Sequence, residues 1–247
     1  MGVLFSNRGI SAMDSSLERQ LQRYLAGLAA SGVEFVRVAK APPADMFVSA
    51  STDSQPSPTA ERTPLQTLAP EYDACTRCTG IASTRIGTVP GSGPVGAKLF
   101  VLGDAPRADD VKAQEPFTGA VGETLTKMLK AIGIEREDAY ISTALRCRPP
   151  GDRKPSAKEI GNCRAFLERE LRIVEPKFVL CLGEAAGQSL LQEEDSLSNL
   201  RAKVHDLRGT KVVCTHHPKD FGTNPGAKSE AWSDLQLLMK TMKSLDN

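Results

Sequence analysis

The sequence predicts a three-layer α/β/α sandwich with a central, mostly parallel sheet of four strands. Two observations support this fold class: short apolar runs recur after residue 98, and each is followed by apolar residues at helical spacing. Strands that alternate with helices form parallel sheets whose two faces are both covered by helices. The length of 247 residues suits one such domain with an appendage, or two small domains.

The N-terminal part of the chain is predicted to lie outside this domain. Residues 1–40 contain leucines at helical spacing between positions 15 and 30, which indicates an amphipathic helical segment. Residues 41–66 are rich in Pro, Ser and Thr, and such a composition cannot bury enough apolar surface to fold. We therefore predict a linker at 41–66 and a folded domain at 67–247.

Within the domain, strands and helices are predicted in alternation. Apolar runs predict four strands, at residues 99–103, 139–145, 178–183 and 211–215. Helical stripes follow them at residues 121–132, 156–175, 185–191 and 228–242. The order of these elements is that of a parallel sheet with crossover helices.

Composition excludes several classes of protein. The net charge is only +1, so no overall field indicates binding to nucleic acid or to a membrane, although a local patch remains open. No apolar run of about 18 residues is present, and the N-terminus lacks the pattern of a secretory signal. We therefore expect an intracellular, cytoplasmic protein without a membrane partner, in which six cysteines do not form disulfides.

Polar side chains stand where the predicted strands end. Asp104 follows the first strand, Thr143 lies near the end of the second, Glu184 follows the third, and His216 and His217 follow the fourth. Ligands of open α/β sheets bind at the carboxyl ends of the strands. One site at this edge of the sheet is therefore expected.

The cysteines form two groups. Cys181 and Cys214 lie inside apolar strands and are predicted to be small buried side chains. The other four, Cys75, Cys78, Cys147 and Cys163, lie in turns or at element ends. Four thiolates can hold a [4Fe–4S] cluster or a structural zinc ion, and the spacing alone leaves both open, together with four unrelated cysteines.

Basic residues surround one of these cysteines. Between positions 143 and 165, six basic residues stand against two acidic ones. Such a patch is expected for contacts with phosphates, and it is also compatible with an ordinary solvated surface.

A set of short motifs runs through this region in a definite order. They are CTRC (75–78), GDAP (103–106), PFTGAVGETL (116–125), RCRPPGDRKP (146–155), EIGNC (159–163), LGEAA (182–186), LR (200–201), HHP (216–218) and AWSDL (231–235). In order, spacing and cysteine content, residues 75–235 resemble the iron–sulfur uracil-DNA glycosylases, family 4 of the uracil-DNA glycosylase superfamily. The set as a whole is specific to that family, although no single motif is.

This resemblance implies a uracil-DNA glycosylase-like fold, a cofactor and a polymer substrate. It implies a [4Fe–4S] cluster held by Cys75, Cys78, Cys147 and Cys163, and a nucleoid-associated enzyme acting on DNA that contains uracil or another deaminated base. The phosphate contacts expected from it, and from the basic loop, are Arg146, Arg148, Arg153, Lys154, Arg201 and Lys219.

The resemblance also implies roles for residues at the strand ends. A glycosylase flips its target base out of the duplex and hydrolyses the N-glycosidic bond. Phe117 would stack on the base, His217 would donate to uracil O2, and Asp104 would orient the water. Backbone N–H groups near Gly103 and Ala105 would add donors.

Three departures from the family leave an alternative open. Asp104 stands where the family has Glu, Arg107 stands where it has Gly, and Thr143 stands where it has the Asn that reads the base. A single hydroxyl cannot match uracil O4 and N3–H as a side-chain amide does. The alternative is a catalytically weak or inactive iron–sulfur protein that binds DNA or a partner. Under either reading we expect a monomer, with the N-terminal helix and linker as a tether to a protein partner.

Overall fold

The structure is a computed structural model, and it describes Leu65 and residues 67–245. The predicted helical segment 1–40 and, apart from Leu65, the predicted linker 41–66 lie outside the described residues. Leu65 packs against two apolar clusters of the domain.

A five-stranded sheet forms the middle layer. Its strands are β1 (Leu99–Gly103), β2 (Tyr140–Thr143), β3 (Phe178–Leu182), β4 (Val204–Leu207) and β5 (Thr210–Thr215). The spatial order is β2-β1-β3-β5-β4, and every pairing is parallel except that of β4 with β5.

The prediction of four strands is therefore wrong by one. The additional strand, β4, lies at the edge of the sheet, and its VHDL sequence alternates between exposed and half-buried side chains. Because an edge strand need not be apolar on both faces, β4 lacks the apolar run that reveals the other four.

Helices cover both faces of the sheet, as predicted. In the described residues they are α1 (Leu68–Ala74), α2 (Thr79–Ala82), α3 (Ala108–Ala113), α4 (Gly119–Ala131), α5 (Ala157–Val174), α6 (Glu184–Leu191), α7 (Leu197–Leu200) and α8 (Ala227–Leu245). Helices α4 and α8 pack on one face, and α5, α6 and α7 pack on the other. None of the described helices is long and apolar enough to cross a membrane.

Alternate residues of each strand supply the two cores. Leu99 and Val101 of β1 belong to the cluster with α4 and α8, whereas Phe100 and Leu102 belong to the cluster with α5 and α6. This alternation follows from the period of two in a β-strand. Cys181 and Cys214 are fully buried, as predicted.

A buried ionic network ties α1, β2 and α5 together. The Glu170 carboxylate accepts hydrogen bonds from the Tyr72 hydroxyl at 2.9 Å, from the Ser142 hydroxyl at 2.8 Å and from Arg146 Nη2 at 2.6 Å. The other terminal nitrogen of Arg146 donates to the Thr143 carbonyl oxygen. Arg146 and Glu170 are each only 1% exposed, so this ion pair is screened from water.

Candidate functional site

The register of the sheet brings the strand ends to one place. Gly103 of β1 lies opposite Thr143 of β2 and Leu182 of β3, and Leu182 lies opposite Thr215 of β5. In the sheet, β2 lies on one side of β1 and β3 lies on the other, so the strand order reverses at β1. The crevice between β1 and β3 is therefore a topological switch point. Residues that follow these strands therefore meet at the crevice where ligands of such sheets bind.

Asp104 lies at the centre of this crevice. Its Oδ1 accepts a hydrogen bond from the backbone N–H of Ala186, in the first turn of α6, at 3.0 Å, and its Oδ2 accepts one from Lys219 Nζ at 3.0 Å. Gly183 allows this approach, since a Cβ there would overlap the carboxylate. Burial in this crevice raises the pKa of Asp104, while Lys219 and the Ala186 N–H act in the opposite direction.

His217 lies in the turn that follows β5 and lines the same cavity as this carboxylate. The ring is buried, and its Nδ1 accepts a hydrogen bond from the backbone N–H of Lys219 at 3.1 Å. Burial, followed by the positive charges of Lys219 and Arg107, holds the pKa of His217 well below its usual range. His217 is therefore a neutral imidazole whose proton is on Nε2, ready to donate to a ligand.

This protonation state gives a testable prediction. As the pH falls through the range in which an exposed histidine titrates, we expect His217 to stay neutral in the folded protein, because protonation would charge a buried ring next to two cations. The ¹⁵N chemical shifts of the histidine rings should show a fixed Nε2–H tautomer for His217 over this range. A titration of this ring with a midpoint near its ordinary value would contradict the assignment.

Phe117 reaches the same site from the turn before α4. Its ring packs so closely on Gly103 that a Cβ at that position would collide with it, and it stacks on the His217 ring with centroids 5.3 Å apart and planes 17° from parallel. Phe117 has a φ of +56°, which is a costly backbone conformation for a residue with a side chain. The turn is held by Arg136 Nη2, which donates to the carbonyl oxygens of Pro116 and Phe117 at 2.9 and 3.0 Å.

Thr143 is buried next to Gly103 and Phe117. Its hydroxyl donates to the Leu145 carbonyl oxygen at 2.6 Å, so its one proton is already used within the protein. Towards a ligand this hydroxyl therefore offers only lone pairs. The backbone of Ala105 completes the group, since Ala105 and Asp104 line one cavity together.

That cavity has a volume of about 90 Å³ and contains residues that sequence reasoning missed. Arg107 and Pro149 line it together with Asp104, His217 and Lys219. The contact between Lys219 and Asp104 joins residues 115 positions apart, and no local pattern indicates it. A larger cavity of about 460 Å³ lies among α5, α6 and the β4–β5 hairpin, and it includes none of the predicted site residues.

The basic loop after β2 is exposed and is paired with acidic side chains. Arg148 Nε lies 2.7 Å from Asp152, and Lys154 Nζ lies 3.3 Å from Glu184. Arg153 forms a two-pronged contact with Glu159 at 2.6 and 2.9 Å. All three cations lie on the surface, where such pairs contribute little to stability and can be exchanged for phosphates.

Two other predicted phosphate contacts are placed differently. Arg146 is 1% exposed and is held by Glu170, so the prediction that it contacts DNA is wrong. The physical reason is that Arg146, three residues after the end of β2, points into the core towards Glu170 instead of into the loop. Arg201 is 16% exposed and forms ion pairs with Asp234 and Glu230, both at 3.1 Å. These pairs connect the segment between α7 and β4 to α8.

The four remaining cysteines lie together at one end of the domain. Cys75 ends α1, Cys78 precedes α2, Cys147 lies in the loop after β2, and Cys163 lies in α5; all four contact the same apolar cluster. Among the described residues, no three potential ligands are spaced to hold a single metal ion.

Nitrogen donors lie close to two of these sulfur atoms. Arg85 Nη1 lies 3.5 Å from Cys147 Sγ, and Asn162 Nδ2 lies 3.4 Å from Cys78 Sγ. Burial raises the pKa of Cys147 and raises that of Cys163 to about 11, so bare thiolates are disfavoured at this position. N–H donors around buried sulfur are the environment that a thiolate-bound inorganic group requires.

Comparison with known proteins identifies relatives of this chain. The model of the uracil DNA glycosylase superfamily matches residues 90–236. A type-4 uracil-DNA glycosylase of Archaeoglobus fulgidus is 34% identical over 182 residues, which is 70% of this chain and 91% of the relative. Those of Pyrobaculum aerophilum and Thermotoga maritima are 30% and 31% identical, over 70% and 62% of this chain and over 92% and 81% of the relatives.

Proposed function

Since this chain belongs to the uracil-DNA glycosylase superfamily, we propose that it is a DNA repair glycosylase that flips uracil or another deaminated base and hydrolyses its N-glycosidic bond. The observation that carries this proposal is the convergence of Asp104, Phe117 and His217 at the switch point of the sheet. These are an acid, an aromatic ring and a neutral donor, and base excision needs these three kinds of group.

The base would be held on its face and at its edge. A flipped base is stabilised by stacking on an aromatic ring, and the Phe117 ring is fixed by its turn and by Gly103. His217 Nε2–H then donates to the O2 atom of the base. This hydrogen bond strengthens as the glycosidic bond breaks, because negative charge develops on the departing base.

Asp104 would act at the deoxyribose sugar. Positive charge develops at C1′ as the bond breaks, and a carboxylate at that position stabilises it and orients the attacking water. The raised pKa of Asp104 makes the group a better proton acceptor than an exposed aspartate.

We further propose that Cys75, Cys78, Cys147 and Cys163 hold a [4Fe–4S] cluster. Four cysteine thiols that share one apolar cluster are the kind of donor set that holds such a cluster. When bound, the cluster supplies a rigid cross-link between α1, the loop after β2 and α5. The loop that carries Arg148, Arg153 and Lys154 would thereby be presented to DNA phosphates.

The identity of this inorganic group can be tested directly. The protein purified without oxygen should show sulfur-to-iron charge-transfer absorption in the visible range and contain iron and acid-labile sulfide. Cys147→Ser should reduce both, whereas Cys181→Ser, in β3, should reduce neither relative to folded protein. Stoichiometric zinc with no visible absorption would overturn the cluster assignment.

The proposed activity is tested with synthetic DNA. Single- and double-stranded oligonucleotides that contain uracil, hypoxanthine or xanthine are incubated with the protein, and the free base is measured by mass spectrometry. We expect base release to fall by about 10²- to 10⁴-fold in Asp104→Asn with little change in DNA affinity. Asp206→Asn, the same change on the exposed β4 strand, is the control and should release base normally.

One observation favours a second candidate function. Both oxygens of Asp104 are engaged, one by Ala186 and the other by Lys219, which leaves the carboxylate less free to orient water. A protein that binds DNA or a partner with weak catalysis would fit this arrangement. Intact DNA binding with no release of any of the three bases would support this candidate and contradict the first.

The base that is excised depends on Thr143. Because its hydroxyl proton is donated to Leu145, Thr143 can accept from uracil N3–H but cannot donate to O4. We expect Thr143→Asn to release uracil faster than the unaltered chain by a factor of about 5–150, since leaving one buried donor or acceptor without a partner costs about 1–3 kcal/mol. Single-turnover assays with uracil-containing DNA measure this ratio of rates; an unchanged rate would remove Thr143 from base recognition.

A further inference from the structure

A lysine amine lies within the site, beside the carboxylate. Lys219 Nζ lies 3.0 Å from Asp104 Oδ2, and its side chain is 30% exposed. The turn that carries it is fixed to the site, because the Lys219 backbone N–H donates to His217 Nδ1. The amine therefore has a defined position next to the group that faces C1′ in the proposed reaction.

This position differs from that of a lysine which only binds phosphate. Lys154, in the basic loop, is 76% exposed and reaches outwards. Lys219 instead points into the cavity that also contains His217 and Arg107. A primary amine inside a reaction site is a nucleophile towards carbonyl carbon, and it forms Schiff bases with aldehydes.

The product of base excision presents such an aldehyde. Once the base has left, the deoxyribose at the abasic site opens to a free aldehyde at C1′. We propose that Lys219 attacks C1′ of this abasic sugar and that the chain is also a β-lyase, which cleaves the DNA strand on the 3′ side of the site. This inference rests on the proposed function for the position of the sugar.

The first step forms a Schiff base between Lys219 and C1′. Asp104 takes a proton from the Lys219 ammonium through their hydrogen bond, and the free amine adds to C1′. Asp104 returns the proton to the C1′ hydroxyl, which leaves as water, so that a protonated C1′=Nζ bond forms.

Strand cleavage then follows from the Schiff base. The Asp104 carboxylate removes a proton from C2′, the electron pair forms the C2′=C3′ bond, and the C3′–O bond breaks with its electrons going to the departing 5′-phosphate. Water hydrolyses the protonated C1′=Nζ bond, which releases the unsaturated aldehyde and returns Lys219 to its ammonium form. Asp104 gives the C2′ proton to solvent and is again a carboxylate. Water is the only co-reactant, and no oxidant or reductant takes part.

The test uses an abasic site that is already present. An oligonucleotide whose uracil has been removed by a separate glycosylase is incubated with the full-length protein and sodium borohydride, which reduces a Schiff base to a stable amine. We expect a protein–DNA cross-link that mass spectrometry maps to Lys219. Without borohydride we expect strand cleavage that needs no alkali and leaves a 5′-phosphate.

Two variants distinguish a role of Lys219 as nucleophile from a role as phosphate contact. Lys219→Arg keeps the positive charge but has no nucleophilic amine, so we expect it to bind abasic DNA and to lose both the cross-link and the cleavage. Lys211→Arg is the matched control, because Lys211 is also 30% exposed and paired with an aspartate, Asp206, but lies on β5 away from the site. It should cross-link and cleave like the unaltered chain.

The outcomes distinguish this inference from the proposed function. Base release with no cross-link, or a cross-link that persists in Lys219→Arg, would overturn the lyase and leave the glycosylase intact. A cross-link at Lys219 on the preformed abasic site with no release of any base would overturn the glycosylase and support the lyase.

Discussion

Glu170→Ala is expected to lower the free energy of unfolding by about 3–5 kcal/mol. Glu170 is 1% exposed and accepts hydrogen bonds from Tyr72, Ser142 and Arg146. Without this carboxylate, the Arg146 guanidinium remains buried with no counter-charge, and two hydroxyls lose their acceptor. Removing one partner of such a pair costs far more than the pair contributes, because the other charge stays out of water.

Urea unfolding under anaerobic conditions measures this loss. Arg169→Ala is the control: Arg169 is the neighbour of Glu170 in α5 and pairs with Glu71 on the surface, where both side chains are more than a third exposed. That pair should contribute no more than about 1 kcal/mol. A loss for Glu170→Ala as small as that for Arg169→Ala would mean that water reaches the network.

Gly122→Ala is expected to reduce base excision by about 100-fold. Gly122 lies in the first turns of α4, and a methyl group there would overlap the Phe117 carbonyl oxygen. Because the overlapping atom belongs to the backbone, the turn at Phe117 must shift, and the Phe117 ring shifts with it. A displacement of about 1 Å from the reactive geometry is sufficient for a loss of this size.

Excision rates, together with DNA affinity, test this prediction. Gly161→Ala is the control, because Gly161 also lies within a helix, α5, but a Cβ there meets no atom within 4 Å. It should keep full activity and gain about 0.5–1 kcal/mol of stability, since alanine is the better helix residue. Equal activity of the two variants would show that the position of Phe117 does not limit the reaction.

The sequence was sufficient to predict the fold class and the parallel strands. β1 spans the predicted residues 99–103, and β3 and β5 differ from prediction by one residue at one end. These strands are buried on both faces and therefore have continuous apolar runs. The motifs were equally informative, because the predicted membership of the superfamily is confirmed by the match over residues 90–236.

What the sequence did not predict depends on contacts between distant residues. The charge run around Cys147 predicted an exposed Arg146, yet Arg146 is buried against Glu170, which is 24 residues away. One signal was present: Glu170 lies on the same helical face as the apolar Phe166 and Val174, so that a buried carboxylate in need of a cation could have been inferred. The pairing of Lys219 with Asp104 has no such local sign.

The two oxygens of Asp104 have different neighbours, and this has a stereochemical consequence. Oδ1 is held by the backbone of α6, whereas Oδ2 faces the Lys219 amine. A half-turn about the Cβ–Cγ bond would exchange two chemically equivalent atoms and leave the arrangement unchanged, whereas a quarter-turn would break both hydrogen bonds. Each oxygen accepts one of these hydrogen bonds and retains a second lone pair, so a molecule that enters the crevice meets two acceptor positions with different neighbours.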